Sequence, residues 1–136
     1  MLVREAGPAD VDAVVALWER TGLTRPWNDP VLDIERALTG PTSSVLLGHD
    51  GQELVATAMV GYDGHRGWVY YLAVAPDHRG SGVGRAIMAA AESWLRAAGA
   101  PKVEVMVRRD NADAAGFYEA LGYSDAEVAV LARWLD

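Results

Sequence analysis

The segment Arg79-Gly80-Ser81-Gly82-Val83-Gly84 joins a predicted strand to a predicted helix. Upstream, Trp68 to Val74 is rich in valine, tyrosine and leucine; downstream, apolar residues recur at helical spacing: Ile87, Ala91, Trp94, Leu95 and Ala98. Three glycines at alternate positions let the backbone approach a ligand closely and adopt dihedral angles that side chains disfavour. The helix then begins with N–H groups that lack an acceptor, at the positive end of its dipole. This arrangement predicts a phosphate-binding turn.

Two other phosphate-binding motifs do not fit these residues. A P-loop needs Lys followed by Ser or Thr after its last glycine, whereas Arg85-Ala86 follow here. A dinucleotide fingerprint needs a third glycine at the position of Arg85. The pattern that remains is Arg-x-x-Gly-x-Gly, formed by Arg79, Gly82 and Gly84. A purely structural turn stays open as an alternative when this segment is taken alone.

The composition argues against several classes of protein. A chain of 136 residues is expected to form a single domain over residues 1–136. It has no cysteine, which excludes disulfides and a thiolate nucleophile, and its three histidines lack metal-ligand spacing, so no metal is expected. A net charge of −7 argues against nucleic-acid binding. No signal peptide or membrane span is predicted, which favours a cytoplasmic protein.

The hydrophobic pattern predicts an α/β (α+β) fold in the element order β-α-α-β-β-β-α-β-α-β. The expected strands are 2–5, 43–47, 54–60, 68–74, 102–107 and 128–135, and the expected helices begin near Val11, Val31, Val83 and Ala112. Helices and strands cluster early and alternate late in the chain. This order predicts a mixed, mostly antiparallel sheet with helices on both faces.

A second motif extends from Asn111 to Tyr123. Asn111 opens a helix, an alanine follows three residues later and Tyr118 seven later, and Gly122-Tyr123 closes the motif. Together with the glycine turn and the preceding strand end, this motif resembles the GNAT acyl-CoA N-acetyltransferases, and the element order extends the resemblance over nearly the whole chain. Segments 25–30 and 62–66 further resemble the small bacterial YpeA-like subgroup.

The resemblance implies a GNAT fold with six to seven strands, four flanking helices and two splayed strands at the cofactor site. Acetyl-CoA would be the acyl donor. Its pantetheine arm would pair with the backbone of Leu72, Ala73 and Val74 in the gap between the splayed strands. Its pyrophosphate would rest on the glycine turn, so the remaining expected cofactor-binding residues are Arg79, Gly80, Ser81, Gly82, Val83, Gly84, Arg85 and Asn111.

The resemblance also implies roles in catalysis. Tyr118 would protonate the leaving thiolate, a transfer that is uphill by about 2 kcal/mol at ordinary pKa values. The backbone N–H of Val74 would polarise the thioester carbonyl. In many relatives a glutamate near the position of Met106 is thought to act as the general base. Glu104, on the same strand face, is therefore the candidate base here. Asp63, His65 and water remain alternatives.

The acceptor site is expected to involve Trp27, Asn28, Asp29, Asp63 and His65. An aromatic residue beside a carboxylate suits a cationic amine, although Asp29 also fits a helix cap and Asp63 a tight turn. We therefore expect an enzyme that transfers acetyl groups directly to a primary amine of a small molecule or peptide, with a homodimer as one expected assembly. The alternative is a non-catalytic CoA-binding sensor or interaction module.

Overall fold

The computed structural model describes residues 1–136, which form two compact units, Met1–Met106 and Val107–Asp136. The first unit contains, in order, β1 Leu2–Glu5, α1 Val11–Arg20, α2 Pro30–Thr39, β2 Ser43–Asp50, β3 Glu53–Tyr62, β4 Gly67–Val74, α3 Val83–Ala98 and β5 Val103–Val105. The second contains α4 Ala112–Ala120. None of these helices combines the length and apolar character needed to cross a membrane.

The strands of the first unit form one sheet in the order β1-β2-β3-β4-β5, in which only β4 and β5 are parallel. The predicted mixed, mostly antiparallel sheet is confirmed, with five strands rather than six to seven. The predicted strand over residues 128–135 is wrong, because that segment has no regular structure. Alternating apolar residues form a strand only beside a hydrogen-bonding neighbour, and the second unit contains no strand.

Helices cover both faces of the sheet. On one face, α1 and α2 share a buried core with the sheet: Val14, Leu17, Trp18, Ile34, Ala37, Val45, Leu47, Val55, Ala73 and Ala75. On the other face, α3 packs against Gly67, where a Cβ atom would lie 3.0 Å from Leu95. Glycine at this position therefore allows α3 to approach the start of β4.

β4 separates from β5 halfway along its length. The two strands pair from Gly67 to Val69, after which β5 ends at Val105 while β4 continues to Val74. A β-bulge follows directly, because Tyr71 and Leu72 both lie opposite Ala58 of β3. Tyr71 has a φ of 51°, which is rare for a large side chain and typical of a bulge or a strained functional position. The pairing of these two strands thus ends before Val74, as the predicted splay requires, and the splay itself stays a prediction.

Candidate active site

The glycine turn presents unpaired backbone donors at the start of α3. Gly80 and Gly82 have φ values of 78° and 85°, and a Cβ atom at either would meet nothing within 4 Å. Glycine is therefore needed here for its left-handed conformation and not for space. The first hydrogen bond of α3 runs from the N–H of Ala86 to the carbonyl of Gly82, at 3.0 Å. The N–H groups of residues 83–85 precede it and have no acceptor within the helix, so they can bind an anion.

Side chains around the glycine turn hold the chain that leads into it and determine the charge beside it. The Ser81 hydroxyl donates to the carbonyl of His78, and the His78 ring lies 3.2 Å from Asp77 and 3.4 Å from Asp50 of the β2–β3 hairpin. The hydrogen bond with Asp77 is the largest cause that raises the pKa of His78. Arg79 and Arg85 are exposed and take part in none of the salt bridges of the chain. Their charges are therefore available to an anionic ligand.

A group of possible metal ligands also lies beside this turn. Ligand atoms of Glu53, Asp77 and His78 all lie within 4.8 Å of one another. Sequence spacing did not indicate this group because Glu53 comes from the β2–β3 hairpin, far from the other two residues in the chain. Two of the three side chains are exposed, and the ring of His78 is already engaged by Asp77 and Asp50.

Beyond the bulge, alternate residues of β4 direct their backbone groups to the side on which β5 has already ended. The N–H of Ala75 donates to the carbonyl of Val55 in β3, at 2.8 Å. Because peptide groups alternate in direction along a strand, those of Leu72 and Val74 face away from β3. Ala73, by contrast, lies opposite Thr57 and is buried in the core. The geometry thus favours Leu72 and Val74 over Ala73 as backbone contacts for a ligand in the gap.

A polar network that the sequence did not reveal holds the bulge. The Trp18 indole donates to the Thr57 hydroxyl at 2.8 Å, and that hydroxyl donates to the carbonyl of Tyr71 at 2.9 Å. The Tyr71 ring stacks on Trp18 with centroids 3.7 Å apart, and its hydroxyl donates to Asp33 at 2.7 Å. Burial, followed by the hydrogen bond to Asp33, raises the pKa of Tyr71. The only sequence signal was Thr57, a polar residue within an apolar strand.

The hairpin turn before β4 uses Asp63 as its structural centre. One carboxylate oxygen of Asp63 accepts the N–H groups of His65 and Arg66, at 2.8 and 2.7 Å, and the other accepts the Trp68 indole at 3.1 Å. These bonds, led by that from Arg66, lower the pKa of Asp63. From Trp68 to Leu72 the strand rises by roughly 13 Å. That separation argues against Asp63 or His65 as a base that acts directly beside Leu72.

Glu104 lies at the same level as this hairpin. It is paired in register with Trp68, and its carboxylate lies 3.4 Å from Nε of Arg66 and 3.8 Å from Nζ of Lys102. The same rise of roughly 13 Å separates it from Leu72 along the sheet. The strand geometry therefore assigns Glu104 to a local ion-pair network and does not favour it as the general base.

The loop between α1 and α2 is divided between capping and exposed residues. Asp29 caps α2, because its carboxylate accepts the N–H of Leu32 at 3.2 Å. This outcome matches the alternative interpretation of Asp29 as a helix cap. Trp27 is 55% exposed, and Asn28 is exposed with its N–H bonded to the carbonyl of Arg25. A substrate contact for Trp27 or Asn28 stays a prediction.

The second unit contains Asn111 and Tyr118 on one short helix. Asn111 caps α4 by accepting the N–H of Ala114 at 3.0 Å. Tyr118 makes edge-to-face contacts with Phe117 and Tyr123, with ring centroids 5.1 and 5.6 Å apart. Burial raises the pKa of Tyr118 to about 12. With that value, protonation of a thiolate by Tyr118 would be uphill by about 5 kcal/mol, more than the sequence-based expectation of about 2 kcal/mol.

Comparison with known proteins identifies the family. A sequence model described as Acetyltransferase (GNAT) family matches residues 12–123. The acetyltransferase ECA0875 of Pectobacterium atrosepticum is 46% identical over 126 residues, which cover 93% of this chain and 89% of that protein. The chain belongs to the GNAT acetyltransferase family. The predicted family and enzyme class are therefore confirmed, whereas the YpeA-like subgroup and the single domain over residues 1–136 stay predictions.

Two solved structures share the fold of this chain. The BH1408 protein of Bacillus halodurans, solved as a tetramutant, is 27% identical and superposes with a TM-score of 0.76, covering 98% of this chain and 100% of that one. The aminoglycoside N-acetyltransferase AAC(6')-Iy, solved in complex with CoA, gives a TM-score of 0.84 at 16% identity, over 99% of this chain and 95% of that one. At that identity the second likeness shows the fold alone.

Proposed function

We propose that this GNAT chain transfers the acetyl group of acetyl-CoA directly to a primary amine of a small molecule or peptide. The observation that carries the proposal is the glycine turn, whose N–H groups at residues 83–85 have no acceptor within the helix and follow a strand that β5 no longer pairs with at Leu72 and Val74. AAC(6')-Iy, which shares the fold, was solved with CoA, and this supports the choice of donor.

The turn and the gap would bind different parts of the donor. The pyrophosphate would accept the N–H groups of residues 83–85 at the positive end of the α3 dipole, with Arg79 and Arg85 supplying positive charge. The amides of the pantetheine arm would pair with the outward backbone groups of Leu72 and Val74 as an added strand. A backbone N–H at one of these two residues would then stabilise the negative charge that develops on the thioester oxygen.

In this proposal, water and solvent take part in both proton transfers, from the attacking amine and to the leaving thiolate. Without a cysteine, the chain has no thiolate nucleophile, which favours attack by the amine itself. Deprotonation of an α-amine at neutral pH costs about 1.4 kcal/mol, and water can accept that proton. Deprotonation of a lysine amine costs about 4.6 kcal/mol. Tyr118, with its raised pKa, would donate a hydrogen bond to the leaving sulfur while solvent supplies the proton, and Asn111 would contact the cofactor through its amide nitrogen.

The test is release of free thiol from acetyl-CoA in the presence of a panel of primary amines. Tyr118→Phe should lower kcat by roughly 10- to 100-fold and leave KM for acetyl-CoA within about twofold. Tyr123→Phe, in the same aromatic group, serves as the matched control and should retain kcat. Absence of thiol release with every amine would overturn the proposal. Tight CoA binding under those conditions would favour the sensor or interaction module instead.

We also propose that the chain forms a homodimer through its last residues. Five large apolar side chains there are 60–93% exposed, namely Val128, Val130, Leu131, Trp134 and Leu135. Several large apolar side chains exposed close together in the sequence favour an interaction surface. Light scattering should give a dimer mass for the native chain and a monomer mass for Leu131→Asp; a monomer in both would contradict the proposal. The cytoplasmic location and the absence of nucleic-acid and membrane partners stay predictions.

A further inference from the structure

The half of β4 that precedes the bulge carries a pair of aromatic rings on the sheet face that α1 and α2 occupy elsewhere. Trp68 and Tyr70 are stacked with centroids 6.3 Å apart, and Tyr70 is 41% exposed. They lie opposite Gly61 and Met59 of β3, in line with Thr57 and the α1–α2 core. Gly61 has no side chain, so β3 places no side chain directly opposite Trp68 on this face. This part of the face offers an aromatic surface to a ligand.

Two carboxylates flank the aromatic pair. Asp63 accepts the Trp68 indole at 3.1 Å, and Asp33 accepts the Tyr71 hydroxyl at 2.7 Å. Neither forms a salt bridge, whereas Glu104, which also lies beside Trp68, is paired with Arg66 and Lys102. The strand positions of Trp68 and Tyr71 are roughly 10 Å apart. The surface therefore presents negative charge at both ends and aromatic rings between them.

We infer that this surface, the acceptor patch of Asp33, Asp63, Trp68 and Tyr70, selects small acceptor amines that carry a second positive charge. The inference rests on the proposed function, because it assigns the acceptor of the same reaction. The amine to be acetylated would lie beside Asp33, next to the bulge where the gap begins. The second cation would lie over the aromatic rings beside Asp63, where cation–π attraction and charge pairing act together.

The electrostatics of the patch are consistent with this role. Backbone hydrogen bonds from Arg66 and His65 lower the pKa of Asp63, so its carboxylate is ionised at neutral pH. Burial and the charge of Asp63 raise the pKa of Tyr70, so its ring stays neutral. An amine that bears its own carboxylate would be repelled at both ends of the patch. Selection among primary amines would therefore combine attraction for dications with rejection of amino acids.

The test compares acceptors of matched length. With acetyl-CoA saturating, kcat/KM is measured for 1,4-diaminobutane, for 4-amino-1-butanol and for 4-aminobutanoate. We expect the native chain to prefer the diamine over the amino alcohol by about tenfold and to use the amino acid least. Asp33→Asn and Asp63→Asn keep a hydrogen-bond acceptor and remove the charge, so each should reduce the diamine preference by roughly 3- to 10-fold. Asp12→Asn, at an exposed position of α1, is the control and should leave the preference unchanged.

Binding without the donor separates this inference from the proposed function. Calorimetry of 1,4-diaminobutane and 4-amino-1-butanol with the native chain should show tighter diamine binding, weakened by Trp68→Leu and by about 1 M salt, where the Debye length is roughly 3 Å. Equal binding of the two compounds, or a preference that survives both aspartate variants, would overturn the inference. Failure of thiol release with every amine would overturn the proposed function. The calorimetric preference would then show by itself whether the acceptor patch binds dications. Circular dichroism of each variant identifies any that does not fold. For such a variant, the salt dependence of diamine binding by the native chain serves as the test instead.

Discussion

The two turns at the ends of β4 contain similar residues but differ in what their backbone N–H groups bind. Both use a glycine in the left-handed region, Gly64 with φ 89° before the strand and Gly82 with φ 85° after it. In the hairpin turn, the carboxylate of Asp63 accepts two N–H groups of the turn itself. In the glycine turn, the N–H groups of residues 83–85 have no such acceptor. A glycine turn without an internal carboxylate thus leaves its donors available to an anion, as the proposed binding of acetyl-CoA requires.

The two ends of β4 also differ in the sign of charged residues that take part in no salt bridge. The hairpin end carries the ionised Asp63, and the glycine-turn end carries Arg79 and Arg85 outside any salt bridge. In the proposed reaction the cationic acceptor approaches from the first end and the anionic donor from the second. Each substrate would therefore meet charge of the opposite sign, which favours its capture and discourages binding at the wrong end.

The largest expected effect comes from adding a side chain to the left-handed glycine of each turn, which tests whether the two turns differ in function. Gly82→Ala and Gly64→Ala introduce the same left-handed strain, about 1–2 kcal/mol, and neither Cβ atom would meet a neighbour within 4 Å. Gly82→Ala should displace the unpaired donors and lower kcat/KM for acetyl-CoA on the order of 100-fold. Gly64→Ala should leave it within about twofold. Steady-state kinetics and urea unfolding of both variants provide the measurement.

The outcome for stability is what makes this pair informative. Both variants should unfold at lower urea concentration by a similar amount, because the strain is the same. If Gly64→Ala impaired acetyl-CoA use as strongly as Gly82→Ala, the distinction between a structural turn and a binding turn would fail.

Removal of positive charge at the glycine turn tests the second difference. Arg79→Gln and Arg85→Gln should each raise KM for acetyl-CoA by roughly 5- to 10-fold, because each removes a charge-assisted contact with phosphate. The effect should shrink in about 1 M salt, where exposed charges are screened. Arg96→Gln, near the other end of α3, is the matched control and should leave KM unchanged. An equal rise for Arg96→Gln would mean that net charge, and not a site, governs donor binding.

The smallest expected effect concerns acid stability at the hairpin turn. The pKa of Asp63 is lowered from 3.8 on folding, mainly by the N–H of Arg66, so the unfolded chain binds a proton first as the pH falls. The stabilisation by ionised Asp63 is therefore complete above about pH 4 and is lost as the pH falls through the folded-state value. Asp63→Asn should lower Tm by a few degrees at pH 6, and the difference should narrow at pH 3. A constant difference by thermal unfolding would contradict this assignment.

The sequence predicted the parts of the molecule that depend on local pattern. The helix after the glycine turn begins at Val83 and ends at Ala98 before Gly99, whose φ is 101°, as its spacing and C-terminal glycine indicated. The family followed from two motifs of short range. Capping by Asp29 and turn formation by Asp63 were also foreseen as alternatives, because both depend on neighbours within three residues.

What the sequence could not provide depends on distant pairs. Trp18 meets Thr57 across 39 residues and Tyr71 meets Asp33 across 38, and no periodicity identifies such partners. Glu104 is opposite Trp68 only because β5 pairs in that register. The expected last strand failed for a related reason, since its apolar alternation specifies a face but supplies no neighbouring strand. Register and partner choice, and not composition, account for most of the differences.

The β-bulge at Tyr71 and Leu72 also acts as a one-residue phase shift in β4. Before it, the even-numbered residues Trp68 and Tyr70 face the side of α1; after it, the odd-numbered Ala73 and Ala75 do. Loss of one residue here would restore simple alternation and leave both sets facing α1, but it would remove the bulge that places the Tyr71 ring on Trp18. The number of residues between Trp68 and Ala75 is therefore as constrained as their identity. Homologues that bind both substrates in this way should differ in the residue types of β4 more readily than in its length.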